Sequence, residues 1–119
     1  MSAKFELTRS SSGQYHFHLK AGSGEVILTS QVYAAKGSAE AGIDSVKVNA
    51  ADESRYERKT SHGGEPFFVL NAANRAVIGT SQMYSSSAAM EKGIESVKAN
   101  ATGAEVSDLT DQANAQRRP

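Results

Sequence analysis

Thr29-Ser30-Gln31-Val32-Tyr33 is a stretch that this chain uses twice, because Thr80-Ser81-Gln82-Met83-Tyr84 repeats it 51 positions later. Each copy leads into a segment that ends Gly-Ile-(Asp/Glu)-Ser-Val-Lys-x-Asn-Ala, at 42–50 and again at 93–101. Self-similarity at a fixed offset is the mark of a repeat architecture. The sequence therefore predicts two copies of one structural unit in tandem.

Length and charge limit what the two units can be. The chain has 119 residues, 13 basic and 13 acidic residues and no cysteine. A half-chain of about 50 residues is marginal alone, so the two copies are expected to share one core. Zero net charge argues against a broad electrostatic surface for nucleic acid or membrane. No apolar run approaches a membrane span and the absence of cysteine fits a reducing compartment, so a cytoplasmic protein is expected.

Alternation predicts strands in the first part of each copy. Residues 5–9 and 15–19 alternate apolar and polar side chains, and 25–30 is rich in β-branched residues. The links at 10–13 and 21–24 are short and rich in Ser and Gly. Parallel neighbours need a long crossover, so these three strands are predicted to form an antiparallel meander.

A helical period follows each meander. Apolar residues recur at i, i+4, i+7 and i+11, which places them on one helix face. They are Ala39, Ile43, Val46 and Ala50 in the first copy, and Met90, Ile94, Val97 and Ala101 in the second. Ser38 or a residue just before it is predicted to cap the first helix. Gly42 lies inside this helix, where glycine is unfavourable, and it predicts a close approach of the helix backbone to the sheet or to the other helix.

The predicted fold class is α+β. Each meander and each helix has one apolar face, and both helices on one face of a continuous, antiparallel-rich sheet would bury all of them. A pseudo-twofold axis would relate repeats at about 4–54 and 55–110. A last strand is predicted at 104–109, because this segment matches 53–58 at the same offset. Residues 1–110 are thus one predicted domain, and 111–119, which lack an apolar pattern, a disordered tail.

Several of these residues also match a known family. Leu19-Lys20-Ala21, Thr29 to Tyr33 and Gly42 to Ala50, with their second copies, resemble the YegP-like family of small bacterial proteins, a domain of unknown function. The chain departs from that pattern at Asn71, where lysine is more usual, and at Ala35 and Gly37. The resemblance implies tandem β3-α-β repeats with one shared sheet and exchanged C-terminal strands. It implies no activity.

Six repeated polar residues are the candidate binding positions: Ser30, Tyr33, Asn49, Ser81, Tyr84 and Asn100. The serine and tyrosine hydroxyls, with free helix amides, could hold an anion or polar ligand at two strand-to-helix junctions. The alternative is structural: serine bonds within a turn, tyrosine packs its ring, and asparagine ends a helix. Both interpretations remain open from sequence.

Other chemistry has less support. His16 and His18 share a strand face and could chelate a metal with a third ligand, but the second copy has Phe67 and Val69 there. No histidine is repeated in both halves, no paired carboxylates stand at a shared motif position, and no glycine-rich phosphate loop is present. Neither an enzyme nor a cofactor nor a metal is therefore predicted.

The function expected from these patterns is a small non-enzymatic binding module, acting as a monomer on a protein or small polar ligand through an open sheet face or edge. The alternative is binding of single-stranded nucleic acid, with exposed aromatic rings stacking on bases. The third possibility is a small ligand or anion at the two strand-to-helix junctions.

Overall fold

The alternating segments form strands and the periodic segments form helices. The computed structural model describes residues 3–110. In chain order its elements are β1 (Lys4–Arg9), β2 (Tyr15–Lys20), β3 (Val26–Thr29), α1 (Lys36–Asn49), a 3-10 turn (Glu53–Arg55), β4 (Tyr56–Thr60), β5 (Pro66–Asn71), β6 (Val77–Thr80), α2 (Ser87–Asn100) and β7 (Glu105–Asp108). The predicted tail at 111–119 lies outside the described residues.

All seven strands belong to one sheet, in the order β4-β5-β6-β3-β2-β1-β7. Every pairing is antiparallel except β1 with β7, which is parallel. The two meanders meet at β3 and β6, which pair through Thr29 and Thr80. The order reads the same outward from this junction until β7 is reached, so the predicted pseudo-twofold arrangement is confirmed.

The strand after each helix crosses to the other half. β4 follows α1 and pairs with β5 in the second meander, while β7 follows α2 and pairs with β1 in the first. β4 therefore ends the first repeat along the chain and also opens the second. This crossing is the strand exchange that the family resemblance implied.

One core joins both helices to one face of the sheet. Phe5, Leu7, Phe17 and Leu19 alternate along β1 and β2 and are fully buried, as are Phe68 and Leu70 in β5. They form a single cluster with the apolar stripes of α1 and α2. Each helix also touches strands of the other half, α1 with β6 and α2 with β3. The two repeats thus bury their apolar faces jointly.

The two helices begin differently. Ser86 caps α2, its side chain accepting a hydrogen bond from the Ala89 amide at 3.1 Å. At α1 the N-cap is Ala35, whose side chain makes no cap bond. The predicted cap at Ser38 is wrong, because this residue already lies in the first helical turn. No helix among residues 3–110 is long and apolar enough to cross a membrane.

Among residues 3–110, no helix packs on the other sheet face. Residues paired across antiparallel strands share a face, so Glu6, Thr8, His16 and His18 lie together there. We call this the open face. The second half contributes Phe67, which is half-buried, and Val69, which is only 6% exposed. Val69 therefore adds little to the exposed surface.

Candidate functional site

A cleft of about 470 Å³ lies where the two meanders meet. Val26 is in register with Lys20, and Thr29 with His18, so these two residues of β3 belong to the open face. The cleft takes equivalent residues from both repeats. Its lining consists of Val26, Thr29, Ser30 and Gln31 with Val77, Thr80, Ser81 and Gln82. We refer to it as the central cleft.

The two cleft serines also hold the strands together. Ser30 Oγ accepts a hydrogen bond from the Phe17 amide at 2.9 Å and donates to the Gln31 carbonyl at 2.7 Å. Ser81 does the same with Phe68 and Gln82, at 3.0 and 2.7 Å. Each hydroxyl has its proton engaged, so its contribution to a ligand is limited to a remaining acceptor position.

The threonines and glutamines of the cleft differ in their contacts. Thr29 Oγ1 lies 3.1 Å from His18 Nδ1, whereas Thr80 faces Val69, which has no polar side-chain atom. The Gln82 amide donates to the carboxylate of Glu25 from the other repeat. None of the eight lining residues is titratable. The cleft therefore offers uncharged hydroxyl and amide groups between two valines.

The predicted tyrosines lie on the helix side of the sheet. The Tyr33 ring stacks on Phe17 with centroids 6.4 Å apart, and the Tyr84 ring stacks on Phe68 at 6.3 Å. Each hydroxyl lies against the glycine inside the neighbouring helix. A Cβ at Gly42 would meet Tyr33 Oη at 2.5 Å, and one at Gly93 would lie even closer to Tyr84 Oη. The close approach predicted at Gly42 is therefore to side chains, the Tyr33 hydroxyl and the Phe17 ring of β2, whose Cε2 would lie 3.0 Å from the added Cβ.

A smaller cavity of about 290 Å³ adjoins Tyr84. The Tyr84 hydroxyl is buried and has no hydrogen-bond partner among the described residues. Burial raises the pKa of this hydroxyl, and the side chain of Gln82, close by but outside hydrogen-bond geometry, offsets part of that rise. The cavity is also lined by Glu25 and Lys92. It is the place where a small ligand at the second strand-to-helix junction would be sought.

The predicted asparagines bond within their own helix ends. Asn49 Nδ2 donates to the Ser45 carbonyl at 2.8 Å, and its Oδ1 accepts from Arg55 Nε at 3.1 Å. Asn100 Nδ2 donates to the Ser96 carbonyl at 2.8 Å. These contacts tie the last helical turn and, at Asn49, the start of the following segment.

Among the six predicted residues, only Ser30 and Ser81 line the central cleft together. Tyr33 and Tyr84 pack between sheet and helices, and Asn49 and Asn100 end the helices. Sequence reasoning did not select the cleft threonines and glutamines. The signal was present, because Thr and Gln recur beside Ser in both copies of the opening stretch.

The two histidines form a separate pair on the open face. Their rings meet edge to face, with centroids 4.9 Å apart. Burial, and then the neighbouring His16, lower the pKa of His18. Within residues 3–110 no group of three or more His, Cys, Asp or Glu side chains is placed to hold a metal.

Fold and cleft define a class: a tandem-repeat α+β protein with one shared sheet and an open face. Two copies of the "Domain of unknown function (DUF1508)" match residues 10–57 and 61–108, and the chain belongs to this family. It is 56% identical over 110 residues to a UPF0339 protein of Acinetobacter baylyi, covering 92% of this chain and 99% of that one. It is 53% identical to the UPF0339 protein YegP of Escherichia coli strain K12, covering 92% of this chain and all of YegP.

Two solved structures share the architecture. A solution NMR structure of a UPF0339 protein from Shewanella oneidensis matches with a TM-score of 0.90 at 47% identity, covering 99% of this chain and 100% of that one. The solution NMR structure of YegP from E. coli, described as a protein of unknown function, matches with a TM-score of 0.87 at 53% identity, over 92% of this chain and 95% of that one.

Proposed function

We propose that this protein is a non-enzymatic binding module that receives a segment of a partner protein in the central cleft. One observation carries the proposal: both copies of the repeated Thr-Ser-Gln stretch contribute to a single cleft on the open face. A repeat that serves only the fold has no need to place its exposed polar residues at one shared surface.

The surroundings of the cleft favour an apolar contact. Val77 lines the cleft and is 43% exposed. Val32 and Met83, which follow the cleft glutamines in each copy, are 59% and 46% exposed. Exposed apolar side chains grouped with uncharged polar ones are typical of protein contact surfaces. A partner segment with apolar side chains and an uncharged backbone is the best match.

The same lining argues against the other functions. Nucleic acid is held first through its phosphates by Lys and Arg, and the cleft residues include neither. General acid or base catalysis needs a titratable group in reach of the substrate, and none of the cleft residues supplies one.

We also propose that the module works in the cytoplasm, since a chain without cysteine fits a reducing compartment.

Affinity capture from the cell of origin tests the proposal. Wild type, Val77→Glu and Val48→Glu are immobilised, and the retained proteins are compared by mass spectrometry. Val48 is a matched control because it is a valine on α1, 77% exposed, outside the central cleft. We expect a partner that wild type and Val48→Glu retain and that Val77→Glu loses.

Identical protein sets on all three variants would contradict a cleft-based function. Two further experiments distinguish protein binding from nucleic-acid binding: nuclease treatment of the lysate, and a gel shift with single-stranded RNA and DNA at low salt. Retention that disappears with nuclease, or a salt-sensitive shift, would favour nucleic-acid binding instead.

A further inference from the structure

A second cleft, of about 570 Å³, lies at one end of the second half of the sheet. It is formed by the start of β4, the end of β5 and the turn that leads to β6. Its lining is Ser54, Arg55, Tyr56, Glu57, Asn71, Ala72, Ala73 and Arg75. We call it the arginine cleft. We propose that it binds a small molecule carrying an oxyanion, a carboxylate or a phosphate, with Arg75 as the main contact.

Arg75 occupies a backbone position that favours glycine. Its φ is 71°, and Gly24, at the equivalent place in the first repeat, has a φ of 93°. Both turns are closed by the same backbone hydrogen bond, at 2.9 Å. The Arg75 amide donates to the Ala72 carbonyl, and the Gly24 amide donates to the Ala21 carbonyl. A left-handed conformation is unfavourable for an ordinary L-residue. The turn itself therefore gains nothing from arginine that glycine would not supply.

The Arg75 guanidinium is exposed and makes no hydrogen bond or ion pair with the described residues. Arginine presents a planar fork of donors that matches carboxylate and phosphate oxygens in pairs. Arg55 adds a second guanidinium to the wall, held in place by Asn49 Oδ1 at 3.1 Å and lying 3.6 Å from Asp52. Because Asp52 offsets the charge of Arg55, Arg75 is the lining arginine that is available to an anion.

The first repeat has an ion pair at the equivalent place. There Lys20 Nζ lies 3.0 Å from the carboxylate of Glu6. In the second repeat the lysine is replaced by the shorter Asn71. Its Nδ2 donates a long hydrogen bond, 3.5 Å, to the carboxylate of Glu57. The Asn71 Oδ1 atom is buried and has no hydrogen-bond partner among residues 3–110. The shorter side chain leaves more room in the cleft than lysine would. Glu57 has two long contacts, with Asn71 and with Lys59 Nζ at 3.8 Å, so an amine beside the oxyanion would find an acceptor.

This site is separate from the central cleft, and it does not rest on the function proposed there. Amide shifts in the full chain are followed by NMR while acetate, glycine or inorganic phosphate is added. We expect saturable shifts at Asn71, Ala73 and Arg75 with at least one of these probes. The ranking of the three identifies the oxyanion, and glycine ahead of acetate would assign a role to Glu57.

Three variants make the test decisive. Arg75→Gly restores the turn of the first repeat, so it is expected to fold, and it should weaken binding at least about tenfold, since charge-assisted hydrogen bonds are lost. Asn71→Lys should also abolish binding by filling the cleft. Lys4→Gln removes one charge next to Glu6 in the other repeat and should leave binding unchanged.

Wild-type affinity in Arg75→Gly or in Asn71→Lys would overturn the proposal. An equal loss in Lys4→Gln would also overturn it, because the shifts would then report the overall charge of the protein. A titration in which none of the three probes gives saturable shifts in the wild type has the same consequence.

Discussion

The two repeats differ most at their outer edges. β1 is covered by β7, whereas among residues 3–110 no strand pairs with the outer side of β4. Leu7 in β1 is 1% exposed. Arg58 holds the equivalent position in β4 and is bound by Glu91 and Glu53. One position of the repeat is therefore apolar where a strand covers it and charged where water reaches it.

The charged edge is a small network rather than one ion pair. Glu53 forms ion pairs with both Lys98 and Arg58. Arg58 also donates hydrogen bonds to both carboxylate oxygens of Glu91. These contacts, led by Lys98, lower the pKa of Glu53, and Arg58 lowers that of Glu91. An exposed edge strand with charged side chains resists pairing with another chain. The edge strand β1, which β7 covers, is therefore apolar at this position, and the uncovered edge strand β4 is charged.

Where the halves face their helices they are alike. Both place a tyrosine hydroxyl against a helix glycine, at Tyr33 with Gly42 and at Tyr84 with Gly93. In both halves a serine hydroxyl accepts a hydrogen bond from a strand amide. The comparison teaches that the duplicated unit is kept where the halves share a core and a cleft, and altered where they meet solvent. The following predictions test that division.

The largest effect is expected from giving the covered edge the residue of the open one. Leu7→Arg would place a guanidinium in the packed core beside β7, at a position that is 1% exposed. A buried, unpaired charge should lower the free energy of unfolding by about 3–5 kcal/mol. Urea unfolding measures this, with Leu7→Met as a control that should cost less than about 1.5 kcal/mol. A stable Leu7→Arg protein would show that β7 does not keep position 7 away from solvent.

The helix glycines should give the next largest effect. Alanine normally stabilises a helix interior by about 1 kcal/mol over glycine. At Gly93 the added methyl would collide with Tyr84, so Gly93→Ala should instead destabilise by about 1–3 kcal/mol. Gly42→Ala should cost less, because its nearest contact is longer. Thermal and urea unfolding of both variants provide the comparison.

A double variant identifies the cause. Tyr84→Phe removes a buried hydroxyl that has no hydrogen-bond partner among residues 3–110, so alone it should be neutral or slightly stabilising. In the double variant Gly93→Ala/Tyr84→Phe, part of the loss should be recovered; the rest should remain, because the ring carbon Cζ would still lie 2.7 Å from the added methyl. If the two changes are simply additive, the collision with the hydroxyl is not the reason for glycine here.

The reciprocal edge change should be mild. Arg58→Leu removes exposed ion pairs, which contribute about 0–1 kcal/mol, so stability should change little. It also places an apolar side chain on an uncovered strand, and self-association should rise with concentration. Sedimentation velocity tests this, with Lys59→Gln as the control on the same strand. A loss above about 3 kcal/mol would mean that Arg58 is structurally essential.

The smallest effect concerns pH and β7. Lys36 Nζ lies 2.6 Å from Asp108, and this bond, followed by that of Thr110, lowers the pKa of the Asp108 carboxyl to about 2 from 3.8. A lowered folded-state pKa stabilises above the ordinary value and is lost as pH falls through the folded one. Between pH 3.8 and about 2, the amides of β7 should therefore exchange faster relative to those of β2. Asp108→Asn should abolish that pH dependence.

Much of this fold was predictable from local pattern. The alternation at Phe5 and Leu7 and the helical stripes at Ile43 and Ile94 follow from burial on one face. The start of α1 was not predictable, because Ser38 is a better cap by type than Ala35, and the observed start leaves it without that role. Tertiary packing therefore decides this helix end against local preference.

The site was predictable only in part. The repeat drew attention to Ser30 and Ser81, but their neighbours Thr80 and Gln82 gain importance only when β3 lies beside β6. Strand adjacency between halves is a tertiary fact that no local pattern specifies. The arginine cleft was missed for the same reason, since Arg75 and Asn71 look ordinary until each is compared with its counterpart in the first repeat.

The central claim is that the two repeats fold as one unit, because only then does the shared cleft exist. Amide exchange at Phe17 and Phe68 tests it most directly, since each amide donates to the serine hydroxyl of its own repeat. Both amides should show the same opening free energy, equal to that of global unfolding. A clearly lower value for one half would mean that the repeats unfold separately, which would contradict the account.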